Sequence, residues 1–190
     1  MRFIFLLFIL FLVSCQTGGN SSKTIEMYNA SGDMVGTATL TEQEDGIQIK
    51  LKVEGLTPGF HGIHIHEYPE CKVPDFISAG NHFNPQGDEH GLMHPEGAHL
   101  GDLPNVEADG DGLVDAELML AEATLLDGKN SILEGGGTSL IIHENQDDGV
   151  SQPAGDSGIR IICGEIIADD ATEATESPTD PTQFNEDQED

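Results

Sequence analysis

Apolar residues return at every second position along much of this chain, a period that suits β-strands and not helices. In "GIQIKLKVEG", Ile47, Ile49, Leu51 and Val53 share one face, while Gln48, Lys50, Lys52 and Glu54 share the other. That is the pattern of a half-buried antiparallel strand. "TIEMYNASGDMVGTATLTE" reads as a hairpin turning near Ser31-Gly32-Asp33, and "GTSLIIHE" and "GIRIICGEIIA" are β-branched runs of strand length. Residues 116–126 lean toward helix, but the "DGDG" ahead of them reads as a surface turn into a strand. It lacks the spaced ligands and closing glutamate of a calcium loop. The expected architecture is all-β, a sandwich or barrel with long functional loops.

Both ends fall outside that fold. Residues 1–14, one Arg2 followed by an unbroken apolar run from position 3 to 13, read as a signal peptide too short to serve as a comfortable membrane anchor. "LVSC" resembles a bacterial lipobox, which would make Cys15 the lipidated first residue of an exported, envelope-anchored chain, on whichever membrane face. Residues 15–23 read as a flexible tether. Residues 169–190 carry nine acidic and no basic side chains, the composition of a disordered acidic tail. One domain, residues 24–168, is left between them.

The chain carries a net charge of −28. Within residues 24–168, five Lys/Arg face twenty-six Asp/Glu, a balance of −21 that excludes nucleic acid as a partner. Of three cysteines, lipidation of Cys15 would leave Cys71 and Cys163. In an oxidising compartment these are expected to form a disulfide, with two buried thiols as the alternative. Such a bridge closes a loop of about ninety residues, worth about 3–5 kcal/mol by chain entropy.

The histidines carry the chemistry. His64 and His66 alternate with Ile63 and Ile65 in "GFHGIHIHEYPEC", which places two imidazoles side by side on one strand face. Residues 67–103 follow with no periodicity, yet hold four of the eight histidines. A loop that long is functional or disordered, and a metal and a disulfide are the pins available to order it. The sequence runs "GFHGIHIH", "GNHFNP", "HGLMHPEGAHLGD", "IIHE" and "GIRIICG", placing His64, His66, His82, His90, His99, Asp102 and His143 in order. These motifs, at these spacings, resemble the copper/zinc superoxide dismutase family across essentially all of residues 24–168.

The resemblance implies an immunoglobulin-like Greek-key β-sandwich or barrel with metal-binding and electrostatic loops. It implies an oxidoreductase that disproportionates the superoxide anion to oxygen and hydrogen peroxide. Copper would be held by His64, His66, His82 and His143, and zinc by His82, His90, His99 and Asp102, one of each per chain, with His82 bridging them. Those donor types suit tetragonal Cu(II) and tetrahedral Zn(II). Asp147 would accept hydrogen bonds from His64 and His90, and Arg160 would dock the anion beside copper. His61 is expected to brace a loop, and His94 to be an exposed loop residue. The family includes monomers and dimers, so a homodimer stays open. The rival reading is a metal-binding relative without turnover, but this chain retains every ligand, Asp147 and Arg160. One departure is plain: "ENQDDGVSQPAGDSGI", between His143 and Arg160, has four acidic residues and no lysine or arginine. A slower enzyme, helped by salt, is expected from that.

Overall fold

The alternating segments form a seven-stranded antiparallel sheet in a computed structural model that describes residues 21–168. The signal peptide, Cys15 and the acidic tail inferred above lie outside the described residues. The strands are β1 (Ser22–Asn29), β2 (Met34–Gln43), β3 (Gly46–Val53), β4 (Gly59–His61), β5 (Ile63–His66), β6 (Val106–Ala108), β7 (Val114–Ala121), β8 (Gly137–His143) and β9 (Arg160–Ile167). The sheet runs β5-β8-β9-β1-β2-β3-β7, and β4 pairs separately with β6. β7 returns to β3 only after three strands intervene, and β9 comes back to β1. Long antiparallel returns of this kind are Greek-key connections.

Ile47 and Ile49 of β3, Val114 and Leu120 of β7, and Ile63, Ile65, Leu140 and Ile142 of β5 and β8 belong to one buried cluster. These strands stand at opposite ends of the sheet order, so the sheet curls to bring its two ends' inner faces together. Each such side chain contributes roughly 1.5–3 kcal/mol on burial. The outer face of β3 and β7 holds exposed pairs, Lys50–Glu117 at 3.6 Å and Lys52–Asp115 at 3.1 Å. Solvent screens them and they add little stability.

The β1–β2 hairpin turns where expected. Asn29 Oδ1 accepts the backbone N–H groups of Ser31 and Asp33, and Gly32 takes a φ of 83°. The "DGDG" segment is a turn closed by Asp109 Oδ1, which accepts from Asp111 and Leu113, and a strand follows rather than a helix. The tether ends earlier than expected: Ser22 and Lys23 already pair with Thr41 and Leu40 in β1 and β2. Residues 67–105 and 144–159 contain no strand. Their first anchor is the Cys71–Cys163 disulfide, spanning 92 residues with a Cα–Cα distance of 5.7 Å. Phe76 and Ala79 pack there on Ile141 and Cys163, a small second core between loop and sheet.

Candidate metal centre

β5 supplies the floor of the site by simple alternation. Ile63 and Ile65 enter the core, and His64 and His66 face the other way, buried beneath the long loop. β5 is also an edge strand, and the loop covers that edge. Phe83 N–H donates to Ile65 O at 2.8 Å, and Ile65 N–H donates to Gly101 O at 2.9 Å. Bridges pairing His66 with His82 and His64 with Asp102 then bring those two side chains onto the site. Capping an exposed edge and delivering ligands are one structural act here.

β8 presents His143 on the same face, two residues beyond Ile141, the partner of His64. Strict alternation along β9 would group Arg160 with Ile162, a core residue. The β8–β9 ladder instead pairs Ile142 with Ile162 and His143 with Arg160, leaving Ile161 over. That extra residue is a β-bulge, and it turns Arg160 toward His143. Arg160 donates to Phe76 O at 2.7 Å and Gly80 O at 2.6 Å. Phe76 offers its carbonyl from a left-handed backbone (φ 54°) while its side chain is fully buried. Such strain in a bulky residue, of order 1–2 kcal/mol, persists only where packing fixes it.

Two sets of side chains result, each with its donor atoms within 4.8 Å of one another: His64, His66, His82 and His143, and His82, His90, His99 and Asp102. His82 belongs to both. In the first set one nitrogen of each ring is hydrogen-bonded outward. His64 Nε2 donates to Asp147 Oδ2 (2.7 Å), His66 Nδ1 to Gly80 O (2.9 Å), His82 Nδ1 to Asp102 Oδ1 (2.8 Å) and His143 Nδ1 to Gly158 O (3.3 Å). The other nitrogens, His64 Nδ1, His66 Nε2, His82 Nε2 and His143 Nε2, are buried without a partner. Four unpartnered acceptors gathered in one place fit a cation that favours imidazole.

In the second set, Asp102 Oδ2 accepts from the backbone of Gly91 (2.9 Å) and His99 (3.1 Å). His99 Nδ1 stands 3.3 Å from both Asp102 Oδ1 and His82 Nδ1. His90 Nδ1 lies 3.0 Å from Asp102 Oδ2 but without the angle of a hydrogen bond, so it too counts as unpartnered. Three imidazoles and one carboxylate fit a tetrahedral divalent cation.

Asp147 links the sets: Oδ2 accepts from His64 and Oδ1 from His90 at 3.1 Å. Asn105 fixes it in turn, donating from Nδ2 to Asp147 O and accepting Asp147 N–H at Oδ1, both at 2.8 Å. Gly155, with φ 64°, passes so close that a Cβ there would sit 1.7 Å from Asp147 Oδ1. Asn105, Phe76 and the carbonyls of Gly80 and Gly158 carried no periodic or motif-level role that pointed to these contacts. Of the remaining histidines, His61 braces β8, its Nδ1 2.8 Å from His143 O and its Nε2 2.8 Å from Thr57 O. His94 is half-buried, accepts from Glu96 N–H, and belongs to neither set.

Arg160, His66, His82, His143 and Glu67 line one cleft together with Pro153 and Ala154. Arg160 is the one Lys or Arg lining it, and Glu67 the one carboxylate, among the described residues. Asp156, four residues before Arg160, is exposed and does not line the cleft. Of the four acidic residues between His143 and Arg160, Asp147 is turned inward onto histidines.

Burial sets the protonation of His66, His82 and His143. It pulls His82 down to about 4 and His143 to about 3, and it lowers His66 well below the ordinary range, helped by neighbouring His82. These rings are therefore neutral and ready to ligate at pH 7. Burial opposes the charged form of His90 as well, but the carboxylates of Asp102 and Asp147, close to its two nitrogens, overcome it and raise His90 to about 9. Both carboxyls are held far below the usual range by hydrogen bonds from the histidines, against the opposing effect of burial. A histidine whose folded pKa is raised stabilises the fold below about pH 6.5 and loses that stabilisation as pH climbs toward 9. At pH 7 the metal-free ring carries an extra proton, which a metal bound at this nitrogen would expel. Zinc binding at pH 7 should release about one proton per chain, measured by calorimetry in buffers of different ionisation heat. Zinc uptake with no proton released would contradict this assignment of His90.

The copper/zinc superoxide dismutase (SODC) family model matches residues 34–166. Superoxide dismutase [Cu-Zn] 2 of Aquifex aeolicus is 45% identical over 159 residues, covering 83% of this chain and 93% of that protein. A histidine-substituted double mutant of a SOD-like protein from Bacillus subtilis superposes with a TM-score of 0.75 at 42% identity, covering 76% of this chain and 97% of that one. Cu/Zn superoxide dismutase from Brucella abortus gives 0.65 at 32% identity, covering 77% and 99%. With its curled Greek-key sheet and paired histidine sets, the chain belongs to the copper/zinc superoxide dismutase family.

Proposed function

We propose that copper occupies His64, His66, His82 and His143, that zinc occupies His82, His90, His99 and Asp102, and that the cleft beside them disproportionates superoxide. The convergence of four buried, unpartnered imidazole nitrogens carries this reading. Copper, when bound, supplies the one-electron oxidation and reduction of superoxide that no side chain of the cleft can perform, and zinc, without redox chemistry, fixes His82. Two superoxide anions and two protons become one oxygen and one hydrogen peroxide.

The residues do the rest. Arg160, always charged, offers the anion a docking point and is aimed by the Phe76 and Gly80 carbonyls. Gly80 O also accepts from His66 Nδ1, so one carbonyl orients both a ligand and the docking group. His82 Nε2 is the atom placed to take up a proton and give it to the product, because Nδ1 faces Asp102 and His99. His64 and His90 hold fixed tautomers through Asp147, which makes it a positioning residue for both sets.

Glu67 opposes Arg160 in the same cleft. A carboxylate about 5–8 Å from an incoming anion repels it by roughly 0.5–0.8 kcal/mol in water, or about two- to fourfold in local concentration. Raising ionic strength from 0.1 to 1 M shortens the Debye length from about 10 to about 3 Å and weakens that repulsion. Pulse radiolysis should therefore find kcat/KM rising with salt, and Glu67→Gln raising it about two- to fourfold at low salt only. A steady fall with salt, as in a positively steered enzyme, would overturn this electrostatic reading. Replacing His143 by Ala should abolish turnover; undiminished dismutation would exclude it as a ligand.

We also propose that Cys15 is lipidated after removal of residues 1–14, anchoring the chain to the cell envelope; the "LVSC" motif supports this. Mass spectrometry of the mature N-terminus should find a diacylglyceryl cysteine, and an unmodified terminus elsewhere would exclude it.

A further inference from the structure

His90 differs from the other members of the sets in how its backbone is held; His99, likewise outside the strands, is held by its near neighbour Asp102. His82 and Asp102 are seated by bridges to β5, and His64, His66 and His143 lie in strands. His90 lies outside every strand, yet its ring is fully buried and must aim one nitrogen at Asp102 and the other at Asp147. Its peptide groups are gripped by a side chain from the opposite loop. His90 N–H donates to Gln152 Oε1 at 2.9 Å, and Gln152 Nε2 donates to His90 O at 2.9 Å and to Val150 O at 3.2 Å. One amide thus reproduces, on a single residue, the paired hydrogen bonds that a neighbouring strand would supply. The following peptide is fixed from the other side by Gly91 N–H donating to Asp102 Oδ2. Gln152 also leads directly into Pro153 and Ala154, which line the anion cleft.

We propose that Gln152 is a positioning residue for the zinc set, fixing His90 through its peptide and tying the wall of the substrate cleft to that set. This rests on the reading that His82, His90, His99 and Asp102 hold zinc. The geometry requires both faces of the amide, so side-chain volume alone cannot replace it. Gln152 is exposed and lies outside the core.

Methionine matches glutamine in length and volume but makes neither hydrogen bond, so Gln152→Met separates the amide from its bulk. Zinc affinity would be measured by chelator competition, and the site geometry by the visible spectrum of Co(II) in place of zinc. Q152M should bind zinc about 10–100-fold more weakly, the usual effect of losing an outer-shell partner. Its Co(II) bands should shift, while the metal-free protein still unfolds in one cooperative transition, somewhat below the parent's. Should Q152M not fold, Q152E, which keeps the acceptor and loses the donor, carries the same expectation. Affinity within twofold of the parent and unchanged Co(II) bands would overturn the role of Gln152 while leaving the zinc site standing. A parent chain that binds no zinc would overturn both.

Discussion

Five buried imidazole nitrogens without a hydrogen-bond partner are the constraint on which this structure turns. A buried polar atom left unsatisfied costs about 1–3 kcal/mol, and these five are concentrated in one place. The fold offers no donor to relieve them. Each ring spends its other nitrogen on a carboxylate or a carbonyl, which fixes orientation and, in His64, His66, His82 and His143, leaves the free lone pair pointing inward. A chain that was only a sandwich would replace these rings with apolar side chains. The arrangement is consistent with a site that is completed by cations.

Around that constraint, the sheet and the two long loops divide the labour. β5 and β8 present His64, His66 and His143 from a rigid surface whose reverse side is the hydrophobic core. The loop of residues 67–105 brings His82, His90, His99 and Asp102, and is held by the disulfide, by pairing on the edge of β5 and by the small core around Phe76. The loop of residues 144–159 brings Asp147 and the cleft wall. Asn105 crosses from the first loop to grip the Asp147 backbone, and Gln152 crosses back to grip that of His90. The geometries of the two sets are therefore not independent, because both pass through Asp147.

Much of this was legible in the residues. Period-two alternation located β3, β-branched runs located β8 and β9, and the paired histidines of β5 declared a polar face opposite a core face. The family resemblance carried by the motifs implied the residues that the structure gathers into the two sets. What stayed hidden was set by contacts, not by pattern. Alternation alone sends Arg160 into the core, and only the bulge opposite His143 turns it outward. Phe76 adopts a left-handed backbone that no phenylalanine advertises. Asn105 and Gln152 are ordinary loop amides until the opposite backbone comes within reach. The acidic rim was read from the segment between His143 and Arg160, whereas the carboxylate lining the cleft is Glu67, distant in sequence and brought to the same cleft by the fold.

The most direct measurement is electron paramagnetic resonance of the protein loaded with one Cu(II) and one Zn(II) at pH 7. Superhyperfine structure from the four imidazole nitrogens of His64, His66, His82 and His143 is the predicted result, falling to three nitrogens in His143→Ala. A parent spectrum dominated by oxygen donors, or one indifferent to His143, would contradict the placement of copper among the unpartnered nitrogens.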